Sequence, residues 1–446
     1  MPYRPVDVIE VRCWGSRVGA VALDERSGFY VFEYERAWAN SGVELAPTTM
    51  PTKGPTRGPT RWPTRGLTSL FVFPTLPPDT YHRLPSMLAD SLPDDFGNAL
   101  TNAYLANEGV APGQITALDR LAYLGTRGIG ALEFHPIRGP RTRKATAIEL
   151  SELVVAARSA LSGRIASNGG LTDAISHLIA VGTSAGGARA KAVVALNPAT
   201  GELRSGQVPA DPGFEQWLLK LDGVGADLDL GASGHFGRIE YGYYLMAIEA
   251  GIEMTECRLL EEGGRAHFMT RRFDRVPGGE KVHVQTLCAM AHLDFRQIGA
   301  HDYAQLFLNI EQLELGPEAR AEAFRRMVFN VAAANCDDHT KNFSFLLPQG
   351  GWWRLSPAYD VTHAHALESR WTRQHLMAVN GRTTGITRAD VSEVGDRFSV
   401  PGASNIIERV LEAVSKWSTF AGQAGVPEAI TDYISRDIEV WSSPLR

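Results

Sequence analysis

The chain has 446 residues, 44% of them hydrophobic and 9% aromatic, which is ample for a buried core and suggests two to three domains. A formal charge of −6 gives no global electrostatic reason for direct nucleic-acid binding. The opening MPYRPVDVIEVRCWG lacks a long apolar run and a small-residue cleavage site, so neither secretion nor membrane insertion is expected. The widely spaced Cys13, Cys257, Cys288 and Cys336 read as reduced thiols of a cytoplasmic protein.

Residues 7–34 contain three β-rich segments, VDVIEVRCW, RVGAVALD and GFYVFEYE, separated by Gly15-Ser16 and Ser27-Gly28 turns; they predict a small antiparallel sheet. Residues 51–66 repeat a tetrapeptide, PTKG, PTRG, PTRW, PTRG. Proline at every fourth position prevents helix, and the segment reads as an extended basic surface loop, although its cations and Trp62 also suit phosphates. Residues 84–107 predict helices opening at Asp90 or Ser91 and again after Asp94, and 118–124 a short helix ending at Gly125. A further helix is expected over 147–161. The basic, proline-bearing RGPRTRKAT places a domain boundary near 138–150.

Next comes GTSAGGARAK, residues 182–191, whose small residues would let backbone N–H groups approach phosphate oxygens. Gly182 and Gly187 have Walker spacing, but Ala188 and Arg189 occupy the Lys and Ser/Thr positions, so the segment reads equally as a β-turn. The strand predicted over 214–221 carries Lys220 near its end; such a lysine either meets an anion or snorkels to water from an edge strand. A helix over 237–250 follows, and its Glu240 stands about twenty residues after Lys220, where the two can pair. CRLLEEG and AHFMTRRFDR predict an antiparallel pair turning at Gly263-Gly264. Residues 281–335 read as mostly helical, and the tail as helices starting at Thr387, Ala403 and Pro427.

The densest chemistry lies in NCDDHTKNFSFLLPQGGWWRLSPAYD, residues 335–360. Asp337 and Asn342 stand at the D-x-x-x-x-N spacing of a kinase catalytic loop, where the Asp orients the acceptor hydroxyl and the Asn ligates Mg²⁺. Residues 343–347 and 352–356 flank the turn PQGG and predict a hairpin, which would bring Asn342 and Asp360 together around one hard cation. A simpler reading leaves Asp337, Asp338 and His339 capping backbone in a polar loop.

Taken together, LADSLPDDFGNAL, LAYLGTRGIGALEF, GTSAGGARAK, RIEYGYYLMAIEAGIEM, RAHFMTRRFDR and DDHTKNFSFLL through SPAYD resemble the HipA toxin kinases, the partners of HipB-type antitoxins. The resemblance covers nearly the whole chain. It implies an α+β fold: a small N-terminal α+β domain with a short antiparallel sheet (1–145), then a protein-kinase/phosphoinositide-kinase-like domain (146–446). The latter would comprise a nucleotide-binding part (146–280) and a largely helical catalytic part (281–446). It also implies ATP and Mg²⁺ as cofactors, Asp337 as the catalytic residue, and Asn342 and Asp360 as metal ligands. ATP would be held by Gly186, Gly187, Ala188, Lys191, Lys220, His339 and Lys341, with Arg271, Arg272 and Phe273 forming the hinge at adenine. Ser184 matches the autophosphorylated serine that switches such kinases off.

The expected function is therefore an ATP-dependent serine/threonine protein kinase acting as the toxin of a HipBA-like module. The implied partners are a HipB-like antitoxin, through which alone DNA would be met, and a protein substrate such as an aminoacyl-tRNA synthetase; no membrane is involved. The chain departs from the toxin at Asp338, where a small residue is usual, at Arg271 in the hinge, and in the Pro-Thr repeat. Two alternatives stand beside this reading: a metal-dependent hydrolase built on Asp337, Asp338 and His339, and a catalytically idle co-repressor.

Overall fold

The computed structural model describes residues 3–52, 70–93, 95–139, 190–206, 212–222, 235–276 and 278–446. The tetrapeptide repeat, the helix expected over 147–161, and Ser184, Gly186, Gly187 and Ala188 lie outside the described residues.

The N-terminal part is built on an antiparallel sheet ordered β4-β3-β2-β1-β5. β1 (Val8–Cys13) alternates, sending Ile9, Val11 and Cys13 fully inward, and β2 (Ser16–Asp24) joins it through Trp14 and Gly15. Both turn residues have positive φ, 49° and 76°, the backbone that closes a two-residue hairpin with the right twist. β3 (Phe29–Tyr34) buries Tyr30, Phe32 and Tyr34; β4 (Leu70–Phe71) and β5 (Leu132–His135) form the two edges. The helix Ala117–Leu124 starts at a Thr116/Asp119 capping box and stops at Gly125.

A second antiparallel sheet, ordered β7-β6-β8-β10-β9, comprises β6 (Lys191–Leu196), β7 (Leu203–Ser205), β8 (Glu215–Lys220), β9 (Cys257–Glu262) and β10 (Arg265–Arg271). The helix Phe236–Ala250 lies across β10. A Cβ on Gly237 would collide with the carbonyl of Ala266, so glycine there permits the close approach.

The third sheet, β11-β13-β14, pairs β13 (Ser344–Leu347) with β14 (Arg354–Leu355) and, on its other side, with β11 (His283–Thr286). A short parallel pair, β12 (His301–Asp302) and β15 (Met377–Ala378), completes the strands among the described residues. Around them pack the helices Tyr303–Gln312, Gly316–Ala332, Arg388–Arg397, Ala403–Ser415, Trp417–Ala424 and Glu428–Ser442. Phe324, Met327, Val328 and Phe329 are fully buried, and Phe307 stacks on Phe398 with centroids 4.7 Å apart. Each such side chain contributes roughly 1.5–3 kcal/mol of burial. Among the described residues no helix is long and apolar enough to cross a membrane.

Polar contacts join the two parts. Trp14 Nε1 donates to Lys281 O (2.7 Å), Trp353 Nε1 to Glu44 O (3.1 Å), and Lys281 pairs with Glu133 at 2.7 Å. Asp274 receives a bidentate Arg272, then Arg275 and the Gly130 amide, all at 2.7–2.8 Å. This cluster holds the Asp274 carboxyl far below the usual carboxylate range, the two guanidiniums outweighing its burial.

Three expectations need correction. No helix opens at Asp90 or Ser91; a single turn, Ser86–Ala89, ends there, because the Asp90 carboxylate instead accepts from the Thr286 amide and hydroxyl. Residues 283–286, expected in helix, form β11, whose His283 and Gln285 face inward on the two-residue period of a strand. The second ribbon strand is shorter than 352–356: Trp352 stands 89% exposed outside it.

Candidate active site

The helix Gly316–Ala332 ends in a turn at Ala333 and Ala334, the latter in the left-handed region at φ 53°. That turn is fixed from three sides. Tyr243 Oη donates to Ala333 O (2.6 Å), the amide of Asn335 donates to Asn330 O (2.9 Å), and Cys336 and Ala364 pair through their backbones. The chain then runs extended, so neighbouring side chains part company. Asp338 is fully buried: Tyr303 Oη, His375 Nδ1 and the Leu376 amide engage its carboxylate at 2.8–2.9 Å. Asp337 faces the other way with its side chain 48% exposed, and His339 Nε2 lies 4.0 Å from its Oδ1. Asp338 therefore anchors the loop, which leaves it no free oxygen for the hydrolase chemistry considered from sequence.

Asn342 Nδ2 donates to Asp337 O (2.7 Å), an arrangement that turns the amide oxygen away and keeps it as a donor for a hard cation. The two ends of the ribbon are tied one residue from each expected ligand, since Tyr359 Oη donates to Lys341 O at 2.7 Å. Asp360 itself adopts φ 53°, a backbone found at few non-glycine residues and common at functional positions.

Lys220 and Asp360 form a direct ion pair, and the Lys220 ammonium also meets Glu240. Glu240 and Tyr243 share one face of the helix Phe236–Ala250, so the helix that supports the Ala333 turn also supplies the carboxylate. Cross-strand pairing sets Lys191 opposite Lys220, with Lys191 Nζ 3.9 Å from Asp360 Oδ2. Burial alone would depress the Lys220 pKa, but Asp360 and Glu240 reverse it and hold the ammonium charged. Conversely, Lys191 and Lys220 outweigh burial at Asp360 and keep its carboxyl well below the usual range.

In the hinge expected at 271–273, the side chains are committed to protein carboxylates. Arg271 reaches Glu215 (3.2 Å) and Glu256 (3.9 Å), and Arg272 holds Asp274. The amides of Arg271 and Arg272 are donated to Glu256 O and Gln216 O, both at 2.9 Å. Phe273 packs its ring 5.6 Å from Tyr359, beside Asp360. Lys341 sets its ammonium 4.7 Å above the Phe295 ring, and its charge works against the burial that raises the Asp90 carboxyl.

Sequence reasoning missed the supports of this site. His363 Nε2 hydrogen-bonds Asp437 Oδ2 at 2.9 Å, His365 Nδ1 stands 3.0 Å from the same oxygen, and Trp441 packs edge-on between His365 and His375. Burial pushes the Asp437 carboxyl up, but the two imidazoles pull it down to about 2. The alternating H-x-H after Asp360 was the available signal, since an extended segment puts both rings on one side.

A small sheet-bearing domain followed by a kinase-like domain with a helical lobe is the class of protein this architecture defines. The sequence profile of the HipA-like C-terminal domain matches residues 183–418, more than half of the 446, and that of the HipA N-terminal domain matches 9–135. The chain belongs to the HipA family. It is similar in fold to the Shewanella oneidensis HipA solved with HipB and its operator DNA, at TM-score 0.65 and 14% identity over 98% of this chain and 96% of that one. Two relatives carry the name "Putative kinase". Y4dM of Sinorhizobium fredii is 25% identical over 45% of this chain and 52% of its own length; a Haemophilus influenzae protein is 27% identical over 25% and 36%. The chain thus spans about half or less of the length of these curated relatives.

Proposed function

We propose that this chain is an ATP- and Mg²⁺-dependent serine/threonine protein kinase and the toxin of a HipBA-like toxin–antitoxin module. The observation that carries the reading is the convergence of Lys220, Glu240 and Asp360 beside the loop that presents Asp337. In a kinase, such a lysine neutralises phosphate charge while a helix glutamate positions it, and catalysis is mainly placement plus electrostatics. Lys220 is charged and held from two sides, as that role requires. Asp337, accessible to an acceptor, would orient its hydroxyl and take the proton. Asn342 and Asp360 offer oxygen donors for Mg²⁺, which when bound supplies charge neutralisation at the phosphate oxygens.

With the Arg271 and Arg272 side chains and amides all committed within the protein, adenine would be held by the Phe273 ring and by the main-chain groups of the hinge that these bonds leave over. The segment with Gly186, Gly187 and Ala188 would cover the nucleotide together with Lys191, and Ser184 would be its autophosphorylation site. Membership of the HipA family and the fold shared with a HipA solved beside HipB support an antitoxin partner, indirect contact with DNA and a cytoplasmic location. A target among translation components such as an aminoacyl-tRNA synthetase is part of the same proposal. The domain division at 145/146 belongs to the same proposal.

The test is incubation of purified protein with radiolabelled γ-phosphate ATP, followed by phosphopeptide mapping. Wild type is expected to label Ser184, and Asp337→Ala and Asp360→Ala to lose transfer by at least ~100-fold. Undiminished labelling in either variant overturns the assignment.

A further inference from the structure

We propose that Asp90, in the N-terminal part, is a positioning residue for Asn342, so that the loop carrying this expected metal ligand is completed across the boundary between the two parts. The kinetic consequence rests on the kinase reading. Residues 286–294 are the link. Thr286 caps the short helix Leu287–Ala291, its hydroxyl accepting from the Ala289 amide at 3.3 Å. Immediately after that cap the Leu287 amide donates to Phe343 O at 2.7 Å, and beyond the helix Leu293 O accepts from Thr340 Oγ1 at 2.8 Å. These two bonds bracket Lys341 and Asn342 from either side in the chain. Strand register adds a third tie, since Thr286 stands opposite Ser344, whose hydroxyl meets Tyr359 Oη.

The bracket is gripped from the N-terminal part. Tyr81 Oη donates to Cys288 O at 3.0 Å, Thr48 Oγ1 to Met290 O and Thr80 Oγ1 to Asp294, while Ser86 Oγ meets His292 at 2.9 Å. Asp90 holds the end nearest Asn342. Its Oδ2 accepts from the Thr286 amide and its Oδ1 from the Thr286 hydroxyl, both at 2.7 Å. A carboxylate that engages two groups of one residue fixes its orientation as well as its place. The hydroxyl that donates to Asp90 keeps lone pairs for the Ala289 amide, so the cap and the contact between the parts reinforce each other. Electrostatics put Asp90 in the same place: burial raises its carboxyl against the Lys341 charge, and burial also raises the Tyr359 phenol, with Asp90 adding to the effect behind Ser344 and Asp360. Asp90 thus acts on Asn342 through Thr286, Leu287 and Phe343, as groups behind a metal ligand do.

The experiment compares the wild-type chain with Asp90→Ala, Asp90→Asn and Thr286→Val, and with Lys281→Met, which breaks the Lys281–Glu133 contact between the parts at the other end of β11. Autophosphorylation at saturating ATP is expected to slow about tenfold in Asp90→Ala and Thr286→Val, with KM for ATP unchanged and more Mg²⁺ needed for half-maximal rate. Asp90→Asn, whose amide still accepts from the Thr286 amide and donates to its hydroxyl oxygen, keeps most of the rate, and Lys281→Met matches wild type. Hydrogen exchange read by mass spectrometry, without nucleotide, reports on the bracket itself: the Leu287 and Asn342 amides exchange faster in Asp90→Ala, and those of the helix Tyr303–Gln312 do not. Should Asp90→Ala fail to fold, Thr286→Val carries the same readouts. An unchanged rate, a rise in KM alone, Asp90→Asn as slow as Asp90→Ala, or an equal loss in Lys281→Met overturns the assignment. Wild type that transfers no phosphate while Asp90→Ala loosens Asn342 removes the kinase and keeps the positioning role; transfer beside an Asn342 amide that Asp90→Ala leaves untouched does the reverse.

Discussion

Lys220 and Asp360, 140 positions apart in the chain, meet as an ion pair whose ammonium is shared with Glu240. Lys220 and Glu240 are 8% and 2% exposed, so the pair lives where an unpartnered charge is expensive. Lys220→Met should cost on the order of 3–5 kcal/mol in urea unfolding, and adding Glu240→Gln should return part of it. An unchanged unfolding midpoint would mean that the carboxylates are solvated after all.

The two adjacent carboxylates should separate cleanly. Asp337→Asn alters an accessible group and should change stability by less than ~0.5 kcal/mol while abolishing phosphoryl transfer. Asp338→Asn disturbs a carboxylate engaged by Tyr303, His375 and Leu376, and should cost ~1–3 kcal/mol. Paired denaturation and labelling assays check both, and the reverse pattern would exchange their roles.

Acid should weaken the C-terminal clamp. The folded pKa of Asp437 is depressed to about 2 from the ordinary aspartate value of 3.8, so its contribution is fully present above about pH 4 and lost as pH falls through about 2. Asp437→Asn should therefore be less stable than wild type by on the order of 2 kcal/mol at pH 7. The gap should close progressively below pH 4. A gap independent of pH would place the loss in packing.

Asp274→Ala should leave Arg272 and Arg275 buried without their counter-ion and the Gly130 amide without its acceptor. A loss of ~3–5 kcal/mol is expected, with faster limited proteolysis between the two parts. Wild-type protease resistance would show that other contacts hold the joint.

The regular elements were readable because period-two alternation and cap residues are local signals. β1, β2 and β3, the helix Phe236–Ala250 stopping at Gly251, and the helix capped by Thr387 lie close to where those signals put them. Local signals also misled: Asp90 looks like an N-cap, yet its carboxylate serves a segment almost two hundred residues away. The Lys220–Glu240 pair was foreseeable from spacing, but the ion pair of Lys220 with Asp360, 140 positions away, was not. Asp338 looked like a catalytic candidate, because sequence lists acidic neighbours without saying which side of an extended chain each occupies. Its partners Tyr303 and His375 come from elements that only tertiary packing brings together.

Trp441 and Asp437 wedge the segment that follows Asp360 and, through His375, the residue behind Asp337. During synthesis, a nascent chain that already contains every group assigned to phosphate chemistry still lacks this brace until residues 428–442 leave the ribosome. The timing gives translation itself a hold on when the loop takes its final shape, and a polypeptide halted before residue 428 is expected to be inert.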